Sequence, residues 1–248
     1  MTARVGAIWR HPIKAHGREA LGRVILTEGE TIPWDRRWAV AHEQARVSDT
    51  GWAPCQNFTR AAKAPQLMAI SAVSDEAAGT VTLRHPDRPD LTFDPDGDAQ
   101  AFLDWVRPLM PEDRAAPARL VQATDRGITD SDFASVSIVN SASSRDLSEK
   151  IGQDLDLTRW RANIVLDGLA PWTEREWIGK TLHIGGTKLE VREHIVRCLA
   201  TAANPQTGER DADTLGALKT YRGTQEFGVY AVVMQGGEIA VQDTAEVL

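Results

Sequence analysis

Cysteine is scarce in this chain: Cys55 and Cys198 are the two thiols among 248 residues, and they stand far apart. A secreted domain held by disulfides carries more. Two thiols also cannot build an all-cysteine zinc site or hold an iron–sulfur cluster in the usual way, since each takes four thiolates. Long apolar runs are missing too. No stretch approaches the roughly 18 apolar residues that span a bilayer, and the opening Met-Thr-Ala-Arg-Val-Gly-Ala-Ile-Trp-Arg-His-Pro lacks the apolar core of a secretory signal. Positive charge is in deficit, with 28 Lys and Arg against 35 Asp and Glu and a net charge of −7. Nucleic-acid binding needs a basic face to neutralise phosphates and is disfavoured, although a local basic pocket is not. The glycine patterns of nucleotide cradles and the HExxH pattern of zincins are absent. The expectation is a cytoplasmic protein with reduced, unbridged thiols and with neither nucleic acid nor membrane as partner.

What is present points to a folded chain: 42% of residues are hydrophobic and 25% charged. The length allows one large domain or two small ones. Strand chemistry recurs at residues 5–9, 23–27, 38–42, 67–73, 80–84, 119–123, 136–140, 161–166, 181–184, 188–191, 227–234 and 238–241. Gly185-Gly186 reads as a two-residue hairpin turn, and Gly236-Gly237 as the link between the last two strands. Residues 87–98, rich in Pro and Asp, read as loop. Helices are few. Asp98 caps one that runs to about Arg107, Ser143 caps another over 143–154, and residues 211–223 hold a short third. The polar, Pro-flanked stretch 112–117 divides a segment 1–115 from a segment 116–248. Many strands and few helices predict a β-rich α+β fold, antiparallel and curled into barrels, with helices at the side.

The chemistry concentrates between Arg161 and Gly208. Cys198 ends the strand-like run Lys188-Leu-Glu-Val-Arg-Glu-His-Ile-Val-Arg-Cys198, and Asn204-Pro-Gln-Thr-Gly208 follows as a turn. In a regular strand Arg197 and Cys198 point to opposite faces; they share a site only if the strand has broken there. If so, positive charge beside the sulfur favours the thiolate, the form that attacks and binds metals. Against this stands the plain alternative that a Cys near a strand end is a small buried hydrophobe.

Taken together these pieces resemble the MOSC family, named for the C-terminal domain of molybdenum-cofactor sulfurase, and within it the mitochondrial amidoxime-reducing component and its bacterial relatives. Trp160-Arg-Ala-Asn-Ile-Val165 is similar to the family's F-R-P-N-I-V, and Trp177 to Gly185 to W-x-x-L-x-I-G. Arg197-Cys-Leu-Ala-Thr201 with Asn204 to Gly208 resembles R-C-x-x-T-x-x-D-P-x-T-G. Leu218 to Arg222 and Phe227 to Tyr230 resemble L-K-x-Y-R and F-G-x-Y, and His11-Pro-Ile-Lys14 and Asp35 to Trp38 resemble Y-P-V-K and D-R-x-W. Ala15, Ile195 and Asn204 depart from the Ser, Cys and Asp common there.

The resemblance implies a MOSC barrel over 116–248 and a smaller barrel-like N-terminal domain over 1–115. It implies molybdenum cofactor (Mo-molybdopterin), with Cys198 as ligand to the metal and Lys14, Arg36, Arg161, Asn163 and Arg197 around the cofactor's phosphate. Asp132 resembles a family acid near the metal and is expected to orient groups or deliver protons. The implied activity is reduction of N-hydroxylated small molecules such as amidoximes, with Cys198 and Asp132 as catalytic residues. No flavin, haem or ferredoxin motif is present, so a separate flavin, haem or iron–sulfur donor protein is expected. The competing readings are a carrier of cofactor or persulfide sulfur with no turnover of its own, and a binding module without chemistry.

Overall fold

The computed structural model describes residues 2–48 and 51–248. In chain order its elements are β1 (Thr2–Arg10), β2 (Glu19–Leu21), β3 (Arg23–Leu26), β4 (Trp38–His42), β5 (Ser71–Asp75), β6 (Thr80–His85), β7 (Arg88–Phe93), α1 (Gln100–Val106), β8 (Pro117–Gln122), β9 (Val136–Asn140), α2 (Ser141–Ile151), β10 (Ile164–Asp167), β11 (Thr181–Ile184), β12 (Thr187–Val196), α3 (Thr214–Arg222), β13 (Glu226–Gln235), β14 (Gly237–Ala240) and β15 (Thr244–Val247).

Seven strands close into a barrel in the order β1-β10-β9-β13-β12-β11-β15, with β15 returning to β1 and β2 added outside β1. All neighbours are antiparallel except β9 and β10, which run parallel. A parallel pair needs a crossover, and α2 supplies it. Asn140 starts that helix by accepting from the Ala142 amide, and Gly152 ends it at φ 77°. The Ser143 cap expected from the sequence is displaced, because Ser143 lies inside the helix and its hydroxyl is spent on Glu174. The barrel interior is filled by Val5, Ile8, Val136, Ile138, Ile164, Leu182, Leu189, Val191, Val229 and Val233. β9 is buried along its whole length: Val136 and Ile138 face the barrel, while Val139 packs under the helices with Trp160, Leu147, Leu218 and Phe227.

A second core joins Ile13, Trp38, Val40, Leu67, Ile70, Leu83 and Phe102 beneath β4–β8, the three-stranded β5-β6-β7 sheet and α1. The expected division at 115/116 is crossed in both directions. β1 completes the barrel, and β8 pairs with β4 through Ala39↔Val121 and Val40↔Leu120. Some expectations for single elements change. Residues 88–93 are a strand and not loop, since β7 is a sheet edge and an edge tolerates Pro89. β14 pairs with β3 and not back on β13. Arg161 is not in a strand; it sits at φ 47° after a 3₁₀ turn, and β10 begins at Ile164. No helix among the described residues is long and apolar enough to cross a membrane.

Candidate functional site

One end of the barrel is made by the ends of β1 and β12 and the starts of β9 and β10. A cavity of about 280 Å³ opens there, closed on the other side by the Cys55–Ala62 segment. β12 delivers the thiol. Its register on β13 shifts between Val191 and Glu193 and again between His194 and Val196, and a bulge re-aims side chains. Ile195, Val196, Arg197 and Cys198 then all line the cavity, which four residues of a regular strand cannot do. The condition set by the sequence is met: the strand has broken, and Arg197 and Cys198 share one space. Cys198 is exposed and Cys55 half-buried, and both thiols are free.

Arg197 is pinned. Its Nε donates to the Phe227 carbonyl at 2.7 Å and its Nη1 to the Trp160 carbonyl at 2.8 Å, while the stacked Trp160 and Phe227 rings lie beneath the guanidinium. Nη2 is buried without a partner. Gly228, at φ 78°, leaves it room: a Cβ there would stand 3.2 Å from Nη2 and 2.6 Å from the Ile138 carbonyl oxygen. Arg161 is similar. Its Nη2 donates to the Gly17 carbonyl and its Nη1 is buried and unpartnered. Arg36 donates to the Arg161 carbonyl and to the buried Asp35, which also accepts from the His11 amide. Lys14 donates to the Ile128 carbonyl at 2.8 Å and to Asp130 at 2.5 Å. Ala15, Arg36 and Arg161 hold positive φ, so part of the wall is built from backbone conformations that L-residues avoid, a feature that clusters at functional sites.

The cavity is lined by six cations, Lys14, Arg36, Arg60, Arg159, Arg161 and Arg197, against one carboxylate, Asp130. Burial, then neighbouring Arg36 and Arg18, push the Arg161 guanidinium down to about 9. Burial also brings Arg197 to about 10, with Arg36 adding to the effect and Tyr230 and Cys198 opposing it. Asp130, at the mouth, is held below the usual carboxylate range: desolvation works the other way, and Lys14, Arg36 and Arg161 outweigh it. Tyr230, on the wall, is pushed up to about 12 by burial and by Asp130. Six cations facing one carboxylate, with guanidinium nitrogens left unbonded, form a cradle short of an anion.

The expected residues separate accordingly. Lys14, Arg36, Arg161, Arg197 and Cys198 come together. Asn163 does not reach the cavity. Its Oδ1 accepts from the Ser137 amide and hydroxyl, its Nδ2 donates to the Trp9 carbonyl, and it stands 3.5 Å from Arg36. It therefore braces the cradle from behind. Asp132 is exposed and outside the lining, because the turn presents Asp130 instead. No three His, Cys, Asp or Glu side chains converge on a metal position among the described residues. An exposed thiol beside an anion cradle fits a metal that arrives inside an anionic organic ligand, and molybdopterin is such a group.

Residues 125–246 match the MOSC domain, and residues 2–115 match the MOSC N-terminal beta barrel domain. The chain belongs to the MOSC family. Molybdenum cofactor sulfurase of Caenorhabditis briggsae is 38% identical to this MOSC chain over 107 residues, 42% of the chain and 14% of that protein. The Drosophila yakuba protein of the same name is 33% identical over 94 residues, 38% of the chain and 12% of the relative. The match thus spans about a seventh of these relatives' length. Among solved structures, the YUAD protein from Bacillus subtilis aligns over 100% of this chain and 96% of its own at 12% identity and TM-score 0.47. Sequence reasoning on this MOSC chain passed over Asp130, Arg159 and the pair Cys55 and Arg60, whose Nη1 donates to the Cys55 sulfur at 3.6 Å. Arg159 carried a signal, lying two residues before Arg161. The Cys55 segment is irregular, no motif claims Cys55, and Thr59-Arg60 only loosely resembles the family's T-x-R-Q.

Proposed function

We propose that this protein holds molybdenum cofactor through Cys198 and the arginine cradle, and reduces N-hydroxylated compounds such as amidoximes with electrons from a separate donor protein. The observation that carries this is the gathering of Lys14, Arg36, Arg161 and Arg197 around the cavity that Cys198 lines, with Arg161 Nη1 and Arg197 Nη2 buried and unbonded. Family membership and relatives named molybdenum cofactor sulfurase support it. Cys198 would give a thiolate to the metal, and Arg161, Arg197, Arg36 and Lys14 would bond the phosphate. The bound group supplies two-electron chemistry that accepts oxygen, and the protein supplies position and charge. The balance is R–NH–OH plus two electrons and two protons giving R–NH₂ and water. Proton handling, expected of Asp132, falls to groups on the wall: the Tyr230 phenol, which keeps its proton at neutral pH, and the Asp130 carboxylate. The test is molybdenum and pterin content after expression in a cofactor-competent host, followed by benzamidoxime reduction with an artificial electron donor. A loaded protein without turnover overturns the reductase reading.

A second reading has its own support. Cys198 is exposed at the cavity mouth, where another protein can reach it, and the named relatives are sulfurases. A carrier of persulfide sulfur would release cyanide-labile sulfur from Cys198 and reduce no amidoxime.

A further inference from the structure

Two of the few large apolar side chains that this protein leaves in water flank the thiol. Val196 is 71% exposed and Leu199 42% exposed, one on each side of Cys198. Single exposed aliphatics are ordinary; here Val196 lines the cavity beside Cys198, and Leu199 follows the thiol in the chain. Val196 is also part of the wall, with Ile195, Ala61 and Ala200. It faces outward in the alternation of β12, where Leu189, Val191 and Ile195 are buried while Lys188, Arg192 and Val196 are exposed. The interior is cationic and the lip is hydrocarbon.

We propose that Val196 and Leu199 form an apolar lip that selects substrates by an uncharged hydrocarbon body, while the N–OH end is presented beside Cys198. The proposal rests on the reductase reading. A ring laid against two aliphatic side chains leaves water and gains affinity in proportion to the apolar area covered. A small polar substrate such as hydroxylamine has no body to lay there. The lip therefore separates the two classes by kcat/KM and adds nothing to the chemistry common to both.

The test compares cofactor-loaded wild type with Val196→Ser, Leu199→Ser and the double variant, and with Ile25→Ser as a control that removes an aliphatic exposed elsewhere, on β3. For benzamidoxime the double variant should lose kcat/KM by on the order of tenfold, mostly through KM. Hydroxylamine kinetics, molybdenum content and the control should stay within about twofold. An equal loss on both substrates, or no loss on either, overturns the lip. Wild type that turns over neither substrate instead defeats the reductase reading. Saturation-transfer NMR of benzamidoxime on wild type and double variant then decides the lip alone, and equal signals reject it.

Discussion

At the scale of single residues, the site depends on side chains that are held but not satisfied. Arg161 spends one nitrogen on Gly17 and keeps the other unbonded. Losing a charged hydrogen bond of this kind costs about 1.5–3 kcal/mol, roughly 10- to 150-fold in affinity. Arg161→Ala should copurify with far less pterin than wild type and give an unchanged circular dichroism spectrum; full pterin occupancy counts against the cradle. Cys198→Ser makes the complementary prediction. Serine keeps the size but replaces a soft sulfur by a hydroxyl rarely ionised at neutral pH, and the phosphate contacts lie on other residues. Pterin should stay substantially bound while N-reductive activity disappears and the molybdenum electron paramagnetic resonance signal changes. If Cys198→Ser lowers only the melting temperature and activity per folded molecule survives, Cys198 is a structural residue.

At the scale of elements, β12 and β13 position Arg197 and Tyr230 at the site, and Gly228 tolerates no side chain. A side chain at φ 78° is strained by about 1 kcal/mol or more, and the Cβ would press on the Ile138 carbonyl of β9 as well as on Arg197. Gly228→Ala should cost about 2–4 kcal/mol, a fall of roughly 5–15 °C in melting temperature at this size, and should lower pterin content. A loss under about 1 °C by calorimetry would mean that the strand absorbs the clash. The same elements mark how far the sequence was readable. β12, its hairpin turn and Cys198 at its end follow from branched residues and a Gly-Gly pair. That Arg197 and Cys198 share a cavity does not follow, because it depends on a register shift against β13, which no pattern within β12 records. Asp132 and Asp130 lie in one acidic turn with no period to say which faces inward. β7 was hidden by Pro and Asp, which a sheet edge accepts and an interior strand does not. Arg161 was assigned to a strand because its neighbours are branched, whereas a single left-handed residue there turns its side chain to the cavity.

At the scale of the whole molecule, two buried imidazoles couple stability to pH. His16 anchors the loop that carries Lys14: its Nδ1–H donates to the Lys14 carbonyl, and its ring packs edge-on against Phe102. Burial, with Arg161 adding to it against that hydrogen bond, pushes His16 down to about 4, and burial with Arg161 and Arg36 pushes His11 to about 3. Both are neutral when folded, whereas the unfolded chain takes up their protons near 6.5. Stability from these groups is therefore full above about 6.5 and is lost as the pH falls toward 4, by about 3 kcal/mol for His16 alone. Urea unfolding at pH 7, 6 and 5 should show the decline, and His16→Asn should flatten it; a slope unchanged by the substitution rejects the assignment. The barrel's closure has a mechanical consequence as well. Thr2 lies opposite Glu246 and Arg4 opposite Thr244, in an antiparallel ladder. A load applied at Thr2 and Glu246 acts on the same end of that ladder, so its hydrogen bonds break one after another and are not sheared together. The protein should peel open at low force along this line, starting from the end of β1 farthest from Cys198.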